Sequence, residues 1–136
     1  MARARWPSLF SGISSAIIAG DFDADGATSA TLAIRALANF GANHVHYLVP
    51  NRMQDGYGLT EKLAERAKKL GGEVVITVDN GIGSHAGVAR AKELGMTVII
   101  TDHHLPAKTL PIADVIVNPN QLGDMFPSKN LAGVGV

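Results

Sequence analysis

Acidic residues directly follow three aliphatic runs in this sequence. The acidic clusters are Asp21-Phe22-Asp23-Ala24-Asp25-Gly26, Asp79-Asn80-Gly81 and Asp102-His103-His104. Crowded carboxylates repel one another unless cations lie between them, so a site that gathers these residues is expected to bind metal ions. Oxygen ligands mixed with imidazole suit manganese, zinc or iron better than calcium, which takes oxygen ligands alone. The residue types therefore predict a metal-dependent site.

The aliphatic runs before the clusters explain how the clusters could meet. Each run is rich in β-branched residues and is typical of a buried strand, so the polar residue behind it lies at the strand's carboxyl end. Ligands of open parallel sheets bind outside the carboxyl ends of the strands. Five carboxylates and two imidazoles are therefore expected at one edge of one sheet.

Strand-like and helix-like segments alternate along the chain. The predicted strands are 16–21, 44–49, 73–78, 96–101 and 114–117, and the predicted helices are 27–39, 60–70 and 84–94. This alternation is typical of βαβ units with right-handed crossovers. We therefore predict an α/β fold with a doubly wound, mostly parallel sheet of about five strands and helices on both faces.

Composition limits the class of protein. The 136 residues are 46% hydrophobic and 18% charged, which fits one globular domain at 16–136 behind an irregular segment at 1–15. Twelve acidic residues balance twelve basic ones, so net charge neither supports nor excludes a nucleic-acid partner. The absence of cysteine excludes disulfides and thiolate ligands and fits a cytoplasmic protein. No apolar run approaches the roughly 20 residues of a membrane span, so no membrane partner is expected.

The first cluster has the pattern D-x-D-x-D-G and admits several interpretations. A calcium-binding EF-hand fails, because its twelfth loop position requires glutamate and holds Leu32 here. A haloacid-dehalogenase-type phosphatase fits Asp-Ala-Asp-Gly, but Ala27 stands where that family has threonine. A hydrolase metal site would use Asp23 and Asp25 as direct ligands. The remaining alternative is a polar turn in which an aspartate caps the following helix.

The other two clusters supply different ligand types. Asp79 alone would be an ordinary turn residue, because Asp-Asn-Gly is a good turn sequence. Two metals about 3.5–4 Å apart need a bridging carboxylate, however, and a central strand end suits that role. His103 and His104 are neighbours on an extended segment and point to opposite sides. One is expected to bind metal while the other contacts substrate or the second metal.

The motifs, in this order, resemble those of the DHH phosphoesterases. The family has Asp-x-Asp-Ala-Asp-Gly, an aspartate behind a strand such as Asp79, and Asp-His-His. Further segments resemble its branch of exonucleases that digest single-stranded DNA from the 5′ end: 49–52 with 55–58, 77–82, 101–106, 117–120 and 126–136. The resemblance covers about residues 17–136.

The resemblance implies a function and a role for each site residue. It implies manganese- or magnesium-dependent hydrolysis of single-stranded DNA by metal-activated water at a two-metal site, in DNA repair and recombination. The implied metal ligands are Asp23, Asp25, Asp79 as the bridge, and His103. Asp21 and His104 would act in catalysis, behind the ligands or on the scissile phosphate. The alternatives are another DHH branch, acting on oligonucleotides, cyclic dinucleotides or pyrophosphate, and a non-catalytic remnant that binds metal or a protein.

Loop residues are candidates for contacts with DNA. Arg52, Lys108 and Lys129 would contact phosphates; the alternative is ordinary solvated surface charge, which the sequence favours for the two lysines. Tyr57, between two glycines, could stack on a base or fill a gap beside the sheet. The resemblance also implies a fourth motif with a further metal-binding aspartate, and a second domain, both downstream of Gly133-Val134-Gly135. We therefore expect a DHH domain truncated before both. The sequence specifies no protein partner.

Overall fold

The computed structural model describes residues 14–51, 53 and 55–136. The elements are β1 (Ala16–Ala19), α1 (Ala24–Asn39), β2 (Val45–Leu48), α2 (Glu61–Lys69), β3 (Val74–Val78), α3 (His85–Glu93), β4 (Thr97–Thr101), β5 (Val115–Val117) and a 3₁₀ turn (Gly133–Gly135). The predicted alternation of strands and helices is confirmed. Nearly all of the predicted irregular segment at 1–15 lies outside the described residues.

All strand pairs are parallel, and the strand order is β2-β1-β3-β4-β5. Ala19, the last residue of β1, pairs with Leu48 and with Thr77, so the carboxyl ends of these three strands are level. The order reverses between β1 and β3, because the chain moves outward to β2 and then returns to the other side of β1. A reversal of this kind opens a crevice at the carboxyl edge. The first two acidic clusters flank that crevice.

Helices cover both faces of the sheet, as the sequence predicts. Ile18 packs with Leu37 on the face covered by α1. Its neighbour Ile17 points to the opposite face and packs with Leu63 of α2 and Val88 of α3. This alternation buries all of β1 completely, and the predicted doubly wound α/β fold is confirmed.

Helix α1 begins at Ala24, three residues before the predicted start at 27. The cause is Asp23, which is the N-cap residue and whose Oδ1 accepts a hydrogen bond of 2.8 Å from the Gly26 amide. The cap starts the helix inside the acidic cluster, so Asp25 lies in its first turn.

Within residues 14–51, 53 and 55–136, none of the helices combines the length and the apolar character needed to cross a bilayer.

Candidate metal centre

The crevice between β1 and β3 gathers two overlapping groups of metal-ligand atoms. In the first group, carboxylate oxygens of Asp21, Asp23 and Asp79 lie within 4.8 Å of one another. In the second group, Asp79 contributes an oxygen that lies within 4.8 Å of ring nitrogens of His103 and His104. Asp79 therefore links the acidic cluster behind β1 to the histidines behind β4.

Asp79 itself is held in an unfavourable state. Its φ of 62° is left-handed, a conformation that aspartate adopts more readily than most residues but still at a cost of about 1–2 kcal/mol. Its side chain is 2% exposed, and its buried Oδ1 accepts no hydrogen bond from the described residues. Nε2 of His103 lies 3.0 Å from this oxygen, a contact that becomes an ion pair only when the imidazole is protonated. A bound cation would satisfy the unpaired oxygen, so the residues fit a metal ion.

The electrostatic environment of the Asp79 carboxylate also favours a bound cation. Burial, together with the nearby carboxylates of Asp25 and Asp23, raises the pKa of Asp79 from 3.8 to about 6, against the opposing effect of the two histidines. A divalent cation would reverse this balance, because it stabilises the ionised carboxylate.

We expect Asp79→Asn to stabilise the metal-free protein at neutral pH. The folded-state pKa is raised, so the wild-type carboxyl contributes its stability below about pH 4 and loses it as pH rises through about 6. With a chelator present, the variant should unfold at a higher temperature than wild type above pH 6. Its free energy of unfolding should exceed that of wild type by up to about 3 kcal/mol. Thermal melts from pH 3.5 to 8 measure this difference, which should vanish at the acidic end. A constant difference at every pH would contradict the raised pKa.

Asp25 is held by backbone amides from the far end of the chain. Its Oδ2 accepts from the Gly133 amide at 2.6 Å and its Oδ1 accepts from the Val134 amide at 2.9 Å. Burial pushes the pKa of Asp25 upward, but these two amides outweigh it and hold the pKa below its ordinary value. Oδ2 also lies 3.7 Å from Nε2 of His103. Each oxygen keeps a lone pair that a cation could use.

Within the described residues, the predicted site side chains converge on Asp79. Asp23 and His103 belong to the two groups, whereas Asp25 lies beside them in its amide contacts. Asp21 and His104, for which the resemblance implies catalytic roles, also belong to these groups and have ligand atoms within 4.8 Å of an Asp79 oxygen. Asp21 is 4% exposed, and its Oδ1 also accepts from the Phe22 amide at 2.7 Å. The assignment of roles among these six residues stays a prediction.

Asp102 is a site residue that the sequence interpretation left without a role. Its Oδ1 lies 2.7 Å from Nδ1 of His104 and also accepts from the His103 amide, while its Oδ2 accepts from the Ile82 amide at 2.9 Å. Burial lowers the pKa of His104, but the hydrogen bond and charge of Asp102 outweigh burial and raise it. Asp102 thus fixes the imidazole and ties it to the loop behind β3. Its place directly before a histidine pair was the available signal.

Asp102→Asn is expected to lower the affinity of the centre for a divalent metal ion by about 10- to 100-fold, the usual effect of removing a carboxylate that orients a metal-site histidine. Asparagine keeps one acceptor oxygen, which cannot accept from His104, His103 and Ile82 as the two carboxylate oxygens do. A titration followed by histidine ¹⁵N chemical shifts should show a lower pKa for His104 in the variant, because the charge of Asp102 raises it in wild type. Unchanged ¹⁵N shifts together with wild-type metal affinity would contradict this role.

Other unpredicted residues stabilise the walls of the crevice. The Asn80 side-chain amide donates to the carbonyls of Ala19, at 3.0 Å, and Val78, at 2.9 Å, and so joins β1 to β3. The side-chain amide of Asn118 donates to the His104 carbonyl at 2.9 Å. Asn120 donates likewise to the His103 carbonyl. These contacts fix the histidine segment from behind.

The residues that were predicted to contact DNA lie in different surroundings. Arg52 lies outside the described residues. The Tyr57 hydroxyl lies 3.5 Å from the Asp79 carbonyl, and its ring meets His104 edge-on with centroids 6.3 Å apart. Burial and the charges of nearby aspartates raise the pKa of Tyr57, so its hydroxyl stays protonated. Lys108 is exposed, and within the described part of the chain its ammonium contacts no site carboxylate. Its phosphate contact stays a prediction.

Lys129 donates its hydrogen bonds to backbone carbonyls near it in the sequence. Its ammonium donates to the Asp124 carbonyl at 2.9 Å and to the Pro119 carbonyl. These bonds favour a structural role for this lysine.

Three clefts adjoin the implied metal ligands. One, of about 550 Å³, is lined by Asp21, Phe22, Asp23, Tyr57 and His104. A second, of about 500 Å³, lies on the α3 side and shares Tyr57 and His104 with the first. The third, of about 630 Å³, is lined by Asp25, His103 and Lys129 among others. A substrate bound at Asp79 therefore has space on several sides.

The chain is similar to known proteins over most of its length. Residues 15–136 match the family model described as "DHH family, N-terminal domain". The chain is 58% identical over 120 residues to the single-stranded-DNA-specific exonuclease RecJ of Salmonella typhimurium, covering 88% of this chain and 21% of the relative.

Two solved structures are also similar. A crystal structure of exonuclease RecJ bound to manganese matches with a TM-score of 0.78 and 36% identity, covering 90% of this chain and 30% of that one. The structure of Thermus thermophilus RecJ in complex with Mn²⁺ matches with a TM-score of 0.72 and 32% identity, covering 95% and 17%. The chain thus spans about a fifth of the length of the curated relative from Salmonella, at 21%.

Proposed function

This chain belongs to the DHH family, and from that membership we propose that it supplies the metal site of an exonuclease that digests single-stranded DNA from the 5′ end. The observation that carries this proposal is Asp79, whose buried carboxylate accepts no hydrogen bond at Oδ1 from the described residues and belongs to both the acidic group and the histidine group. The resemblance to the single-stranded-DNA-specific relatives supports the substrate class. We further propose a role in DNA repair and recombination, in the cytoplasm.

We propose manganese or magnesium as the cofactor, in a two-metal site. Asp23, Asp25, Asp79 and His103 would hold the ions, with Asp79 shared between them. The mixed oxygen and imidazole donors and the manganese in two similar RecJ structures support this assignment. Bound metal would neutralise charge on the phosphate and make water more acidic.

The chain's own residues would orient the substrate. His104 is held by Asp102 through Nδ1 and has a raised pKa, so a protonated ring can donate toward an anionic phosphate. The protonated hydroxyl of Tyr57 is a further donor, in the cleft that Tyr57 and His104 line together with Asp21 and Asp23. Asp21 lies next to the ligands and could accept a proton from water during hydrolysis.

A nuclease assay tests the proposed function. Oligonucleotides labelled at the 5′ or the 3′ end would be incubated with the protein and Mn²⁺, as single strands and as blunt duplexes. We expect early release of a labelled mononucleotide from the 5′-labelled single strand, gradual shortening of the 3′-labelled strand, and little reaction with the duplex. Absence of metal-dependent cleavage, or preferential cleavage of cyclic dinucleotides or pyrophosphate, would contradict the proposal.

A further inference from the structure

Phe22 is an apolar side chain placed between two carboxylates of the candidate metal centre. Its neighbours Asp21 and Asp23 both belong to the acidic ligand group, and Phe22 itself is 38% exposed. We propose that Phe22 is a stacking surface for a nucleobase, next to the metal centre, and that it contributes to selection of single strands. This inference rests on the proposed function.

The shape of the neighbouring cleft supports a nucleotide as occupant. Phe22 and Tyr57 line the same space of about 550 Å³, which also reaches Asp21, Asp23 and His104. One side of this cleft therefore carries metal-ligand atoms, which suit a phosphate, and another carries aromatic rings, which suit a base. A nucleotide needs both kinds of surface at a short separation.

The backbone on both sides of Phe22 is anchored. Its own amide donates to Oδ1 of Asp21 at 2.7 Å, and the following residue, Asp23, caps α1 through a bond of 2.8 Å. The backbone that carries the ring is therefore fixed relative to the carboxylates before substrate binds. A stacking residue on a preorganised backbone loses less entropy on binding, which favours affinity.

Stacking on Phe22 would distinguish single strands from duplexes. Bases in a duplex are already paired and stacked, whereas the bases of a single strand can turn a free face toward an aromatic ring. Loss of one base–aromatic stack corresponds to about a 5- to 150-fold loss of affinity. Phe22→Ala should therefore weaken single-strand binding and leave the weak duplex binding unchanged.

Fluorescence anisotropy with hydrolysis-resistant phosphorothioate oligonucleotides in Mn²⁺ tests this inference without relying on activity. A single abasic residue would be moved along the first four positions from the 5′ end. For wild type, one position should show an affinity loss of at least 5-fold, and Phe22→Ala should bind the intact and the abasic strands equally. Phe22→Tyr keeps the aromatic face and should behave as wild type, whereas Phe22→Leu keeps apolar bulk and should resemble the alanine variant.

Phe40→Ala is the matched control, because Phe40 is 60% exposed at the opposite end of α1 and should have no effect on binding. If wild type binds single strands but Phe22→Ala still loses affinity when the abasic residue stands at the sensitive position, the stacking role is wrong while the proposed function stands. If Phe22→Leu binds as wild type does, the side chain acts by packing alone and the inference is also overturned. If wild type binds no single strand in Mn²⁺, the proposed function fails and this inference fails with it.

Discussion

Replacement of Asp79 by asparagine is expected to reduce Mn²⁺-dependent hydrolysis of single-stranded DNA by at least about 10²- to 10³-fold, the scale on which preorganised electrostatic stabilisation contributes to catalysis. Asp79 is the residue common to the two groups of ligand atoms, and its oxygen is buried beside His103. Asparagine has nearly the same shape but only one acceptor oxygen and no charge. The loss should therefore come from the site and leave the fold intact.

A matched control for charge is Glu93→Gln, because Glu93 is an exposed carboxylate on α3 that pairs with Arg90. This variant should keep wild-type activity. The same rate measurement on Asp79→Asn, with circular dichroism to verify folding, completes the comparison. An active Asp79→Asn protein would show that the metal, if bound, does not depend on the shared carboxylate.

Gly133→Ala is expected to weaken Mn²⁺ binding by about 10- to 100-fold, an effect comparable to disturbing the residues that support metal ligands. A Cβ at position 133 would overlap the Asp79 carboxylate and lie 2.7 Å from the Cβ of Asp79. The amide of the same residue donates to Asp25. One methyl group would thus displace two acids of the centre, and backbone movement to relieve the overlap would break the Asp25 contact.

The same turn supplies the control for that substitution. The nearest atoms that a Cβ at Gly135 would meet belong to the side chain of Leu131, at 3.2 Å, and the end of a leucine side chain can move aside. Gly135→Ala should therefore bind Mn²⁺ nearly as wild type does in a calorimetric titration. Equal affinities for the two alanine variants would show that Gly133 does not hold the centre together.

Local sequence patterns predicted the elements and the convergence of the acidic clusters. β3 is a run of five residues, mostly β-branched and buried along its whole length, and this length and composition favour a strand over a helix. The strand order was not predictable in the same way, because pairing depends on contacts between distant segments. The crevice between β1 and β3 appears only when that order is known.

The parts of the centre that the sequence did not predict are contacts between distant residues. Gly133 lies 108 positions from the Asp25 carboxylate that it contacts, and no local pattern encodes that distance. The early start of α1 has a local cause, since Asp23 serves as helix cap and lies among the metal-ligand residues. The acidic pattern could be interpreted as a cap or as a metal site, and the residue that caps the helix in the structure also belongs to a group of candidate metal-ligand atoms.

A calorimetric titration with Mn²⁺ tests the central claim, that Asp79 unites the acidic and histidine groups into one metal centre. Wild type, Asp79→Asn, His103→Ala and Glu93→Gln would be titrated after removal of metal by chelation. We predict saturable binding by wild type and Glu93→Gln, and loss of that binding in both Asp79→Asn and His103→Ala. Binding of equal affinity in all four proteins would contradict a metal centre at this crevice.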